Sequence, residues 1–145
     1  MRRSTFAITV SALALLAAGQ AFAQDATPLR LGQQVQGALT AEDSRVDSED
    51  VGQFVYDTYS IQARDGQRLE VVMRADDFDA YLEAYRGSDS GEPIAYDDDG
   101  LGEGTNSRLR FAAPASGTYV IRARTLGGLD GGDYTLEASD RGPAP

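Results

Sequence analysis

The chain has 145 residues, 13 of them basic and 23 acidic, for a formal charge of −10 at neutral pH. It contains no histidine, cysteine or tryptophan, and every basic residue is arginine. That inventory excludes disulfide staples and thiolate or imidazole metal sites, removes the usual bases and nucleophiles of catalysis, and makes nucleic acid an unsuitable partner, since phosphates demand clustered cations.

The first segment, MRRSTF, is short and basic; residues 7–18 are apolar apart from Thr9 and Ser11, and Ala21-Phe22-Ala23 has the small-x-small form of a cleavage site. The apolar run falls short of the roughly 20 residues needed to cross a bilayer. Residues 1–23 are therefore expected to be a signal peptide, with no membrane span and with delivery to the periplasm or the medium. Residues 24–139 suffice for one hydrophobic core. Residues 140–145 are expected to form a disordered tail.

Between these ends the apolar pattern has period two, the mark of strands with one buried face. Residues 29–39 give a first strand, and the polar stretch 40–50 is expected to be a loop. Tyr59, Ile61 and Ala63 form an inward row that ends at the turn dipeptide Asp65-Gly66. Leu69, Val71 and Met73 form the next, followed by Phe78, Ala80, Leu82 and Ala84, and by a short run at 94–96. Leu109 and Phe111 precede a Pro114-Ala115-Ser116-Gly117 turn; Tyr119, Ile121 and Ala123 follow it. A glycine-rich loop at 127–132 leads to Tyr134, Leu136 and Ala138. About eight strands in this rhythm predict an all-β, antiparallel β-sandwich, expected to be a monomer.

Two knots of aspartate interrupt the strands: Asp76-Asp77-x-Asp79 and Asp97-Asp98-Asp99. Two unit charges about 5 Å apart repel by roughly 0.8 kcal/mol in water and about 3 kcal/mol at an effective dielectric of about 20. If folding gathers them, something positive must join them. Oxygen-only ligands in irregular loops suit calcium better than magnesium. Aligning Gly100 with the EF-hand glycine puts Ala95 first and Asn106 last, so that motif is absent. A site assembled from two loops, with Asp77 and Asp79 from one and Asp98 and Asp99 from the other, is one reading. The other is that these are solvated turn residues that cap amides and protect sheet edges.

Arg108, Arg110, Arg122 and Arg124 all alternate with core positions and so point outward. If their strands pair across the 114–117 turn, they make a basic patch able to meet an anionic polymer or an acidic protein surface. The simpler reading pairs them across strands with Glu70 and Glu137. Tyr81 or Tyr85 would add stacking surface if exposed.

The segments Phe78-Asp79-Ala80-Tyr81-Leu82, Tyr96-Asp97-Asp98-Asp99-Gly100, Asn106-Ser107-Arg108-Leu109, Ala113-Pro114-Ala115-Ser116-Gly117-Thr118-Tyr119 and Gly132-Asp133-Tyr134-Thr135-Leu136 resemble, in order and spacing, the bacterial pre-peptidase C-terminal domain. The likeness runs from about residue 57 to residue 138. It implies a jelly-roll-like sandwich of a kind usually appended to secreted peptidases, with calcium-binding relatives among the collagen-binding modules of bacterial collagenases. No peptidase precedes the domain in this sequence, which implies a freestanding member. The acidic linker that supplies calcium ligands in the collagenase modules is missing, so those ligands do not carry over, and the aspartate site rests on the charge argument alone.

Without catalytic residues, the expected function is a secreted, calcium-stabilised, non-catalytic binding module that contacts an extracellular or envelope protein or polysaccharide. The alternative is an accessory or folding partner of a separately encoded secreted peptidase or envelope protein.

Overall fold

The computed structural model describes residues 26–50 and 52–142. The expected signal peptide lies outside them. Among the described residues there are ten strands: β1 (Thr27–Pro28), β2 (Gln34–Leu39), β3 (Ser44–Ser48), β4 (Gly52–Ala63), β5 (Arg68–Ala75), β6 (Ala80–Arg86), β7 (Ala95–Asp97), β8 (Ser107–Ala112), β9 (Gly117–Thr125) and β10 (Gly132–Asp140). No helix occurs among the described residues. The strands form two sheets. The first runs β1-β4-β9-β6-β7 with β3 also on β4, and the second runs β2-β10-β5-β8. The all-β sandwich read from the period-two pattern is the fold.

The inward rows face one another across the interior. On the first sheet Ile121 stands between Tyr59 of β4 and Ala84 of β6. On the second, Val71 stands between Ala138 of β10 and Leu109 of β8. All six are buried, and each large apolar side chain removed from water in this way contributes about 1.5–3 kcal/mol. Tyr134 spans the gap between the sheets. Its hydroxyl lies 2.5 Å from that of Tyr59 and donates to Asp57 Oδ2 at 2.6 Å. Gly37, opposite Tyr134 on β2, leaves room for the ring: a Cβ there would stand 2.4 Å from it. Tyr119 ties down the β8–β9 connection, its hydroxyl donating to the Ala115 carbonyl at 2.6 Å and accepting the Ala115 amide at 3.2 Å.

Three expectations change. Residues 44–48, expected as part of a loop, form β3, held by its ladder to β4 and contributing little to the core. Of the single strand expected over 29–39 only Gln34–Leu39 is strand, as β2; a turn precedes it, and β1 lies just before the expected span. β4 is long enough to take β3 along one part of its edge and β1, in parallel, along another. Finally, β8 and β9 do not pair: the 113–116 connection crosses from the second sheet to the first. Asp140, the first residue of the expected tail, closes β10, and Arg141 donates its amide to Arg68 O at 2.8 Å.

Candidate metal centre and the arginine layer

β7 pairs with β6 so that Asp97 lies opposite Leu82. Leu82 faces the core, and alternation therefore sends Asp97 inward and Asp98 outward. Asp97 becomes a bracket for the next loop. Its Oδ2 accepts the amides of Gly100 and Arg108 and the hydroxyl of Ser107, each at 2.9 Å, and its carbonyl oxygen lies 2.7 Å from the same hydroxyl. Gly100 has to be a glycine here, because a Cβ would fall 2.2 Å from Asp97 Oδ1.

Asp98 takes the opposite direction. With Asp79, just before β6, and Asp99 it forms a cluster in which one carboxylate oxygen from each residue lies within 4.8 Å of the others. Asp79 and Asp98 are half-buried and Asp99 is exposed. The Oδ1 atoms of Asp79 and Asp98 are buried without a hydrogen-bond partner. Burial, then the bond to Asp79 and its charge, pushes Asp98 up to about 6. Asp79 is also raised, by burial first and with the Asp99 charge adding to it. Carboxylates that resist ionising together, with two buried oxygens unclaimed, fit a hard cation in chemistry and placement. Asp77 is not one of the three, because its side chain lies against Gly132.

The four arginines divide between the two outer faces. On β8, Arg110 pairs with Glu70 of β5 at 2.6 Å, directly across the ladder, and Arg108 lies opposite Val72. On β9, Arg122 and Arg124 are nearly buried and share Glu83 of β6 at 3.2 and 3.1 Å, and Arg122 also reaches Asp89 at 3.2 Å. The expected four-arginine patch therefore does not form, because its two strands belong to different sheets. Aromatic rings layer the β9 pair: the Arg122 guanidinium stands 4.4 Å from the Tyr56 ring centre and 4.9 Å from that of Tyr85, and Arg124 stands 3.6 Å from Phe54 and 4.3 Å from Tyr81. Tyr85 is buried.

Glu83 and Asp57 were not singled out in the sequence. Asp57 had a visible signal, since it is an acid in the inward row of Val55, Tyr59 and Ile61. Burial raises its pKa, the Tyr134 bond opposes the rise, and the Asp43 charge adds to it.

A two-sheet sandwich with an acidic cluster at a strand end defines, in form, a β-sandwich module. Residues 55–125 match the bacterial pre-peptidase C-terminal domain, and this part of the chain is a member of that family. Domains of this family are non-catalytic modules. The fold is similar to that of the pre-peptidase C-terminal domain of a Bacillus anthracis collagenase, with a TM-score of 0.58 and 16% identity over 79% of this chain and 94% of that one. It is equally similar to Aeromonas hydrophila PliG, a periplasmic inhibitor of g-type lysozyme, with a TM-score of 0.59 and 18% identity over 80% and 96% of the two chains. No match was found among curated proteins.

Proposed function

We propose that this protein is an exported, non-catalytic binding module that holds calcium at Asp79, Asp98 and Asp99 and contacts a protein outside the cytoplasm. The observation that carries the metal reading is the pair of buried, unclaimed carboxylate oxygens in a three-carboxylate cluster. Bound calcium would offset two of the cluster's three charges and tie the entry of β6 to the exit of β7. Export is supported by the form of residues 1–23. A protein partner is favoured by PliG, a neighbour in fold whose own target is an enzyme.

Thermal unfolding in chelator and in rising calcium tests the metal. Extracellular modules bind calcium at about 0.1–1 mM, so a tenfold excess should stabilise the fold by roughly 1.4 kcal/mol. The Asp98→Asn, Asp99→Asn variant should not respond, and matched magnesium should do little for the parent protein. Equal melting in all conditions would leave the aspartates as solvated turn residues.

A further inference from the structure

We infer that the outer face of the first sheet, at its β7 edge, docks a basic segment of a partner protein that carries an aromatic or aliphatic side chain beside an arginine or lysine. The inference rests on the binding-module reading and names the surface and the partner's chemistry.

Three large hydrophobic residues stand out as exposed: Ile94, Tyr96 and Leu126. Ile94 and Tyr96 lie on this face at the β7 edge, and Leu126 lies toward the other end of β6, since the Ile94 amide bonds to Ala84 O at 2.7 Å and the Leu126 amide to Asp79 O. Ile94, just before β7, and Tyr96 within it are two apart in the chain, and both are exposed. Leu126 follows the outward Arg124 by two, and its amide bonds to Asp79 O at 2.8 Å, continuing the β6–β9 ladder. Scattered apolar side chains need no explanation, but an exposed pair beside an aromatic stack does.

The pair is also the open end of a layered stack. Phe54 lies against the Arg124 guanidinium, which lies against Tyr81, and Tyr81 is stacked on Tyr96 with rings 8° from parallel and 6.2 Å between centres. Tyr96 closes the row with 67% of its surface in solvent. A ring backed in this way costs little entropy to present and offers its free face to a further cation. Charge selects the occupant. Glu92 precedes Ile94 at one end of the face, and at the other Asp79, Asp98 and Asp99 keep a net negative charge even around a divalent cation, while the arginines beneath are already engaged with Glu83.

The test is a random-peptide display library panned on the full-length protein and counter-screened on Tyr96→Ser and, separately, Ile94→Ser. Both sites are exposed, so the variants should melt close to the parent. Selected peptides should be rich in arginine or lysine next to an aromatic or aliphatic residue, bind at least about tenfold more weakly to Tyr96→Ser, and lose affinity as salt rises. Peptides without basic residues, binding indifferent to both substitutions, or no enrichment at all would overturn the inference. So would concentration-dependent self-association, or retention on an insoluble polysaccharide, that either variant abolishes. Calcium-dependent melting does not involve Tyr96, so its presence or absence judges the metal reading separately.

Discussion

Asp97, Asp98 and Asp99 are the same residue three times, in three different situations. Asp97 is a bracket with three donors on one oxygen; Asp98 is a half-buried acid crowded by two others; Asp99 is the cluster's exposed member. Replacement should separate them. Asp97→Ala removes three hydrogen bonds and leaves the buried Ser107 hydroxyl with one acceptor fewer, a loss of about 3 kcal/mol or more in urea unfolding. Asp98→Asn, in chelator, should leave stability unchanged or raise it, because it relieves repulsion. The sequence displayed the acidity plainly but not this division, which depends on the register Leu82 to Asp97. Alternation in the 94–96 run misleads, because it offers Ile94 and Tyr96 as the inward pair and so would send Asp97 outward, whereas both are exposed. No local signal could have told that Asp77 turns toward Gly132 instead of the cluster.

At the scale of the strand, period two identified β4, β5, β6, β8, β9 and β10 because each buries one face of apolar residues. It failed at β3, where Val46 is the sole large apolar residue and backbone pairing does the holding. It failed again in supposing that neighbours in sequence are neighbours in a sheet, which placed the arginines of β8 and β9 together. The outward row of β9 is instead an internal layer of its own, and Glu83 is its centre. Glu83→Gln would leave two nearly buried guanidinium groups short of a carboxylate, Arg122 keeping Asp89 and Arg124 keeping only a carbonyl contact at 3.4 Å to Leu126. Removing one partner from a buried charge group costs about 3–5 kcal/mol. Guanidinium-induced unfolding should register that loss, whereas Arg110→Gln, which breaks the more exposed pair with Glu70, should cost under about 1 kcal/mol.

For the molecule as a whole, the acidic cluster sets a pH dependence. Asp98 holds its proton more tightly in the fold, up to about 6, than in the unfolded chain, where a carboxyl titrates near 3.9. Between about pH 4 and 6 the folded state therefore binds protons that the unfolded state has released, and stability falls as pH rises through that window. In chelator the melting temperature should be higher at pH 5 than at pH 7. The difference should shrink in Asp98→Asn, and calcium should stabilise more at pH 7 than at pH 5. Composition revealed the surplus of negative charge, and the segment order revealed the family; the distribution of strands between two sheets needed the structure, since it is fixed by partners far apart in the chain. The pairing of β2 with β10 is the extreme case. β2 has no other partner in its sheet, so a chain emerging N-terminus first carries it single until a strand on the order of a hundred residues later is in hand. The second sheet cannot complete itself on a partial chain, because β2 is joined to β5 and β8 only through the last strand.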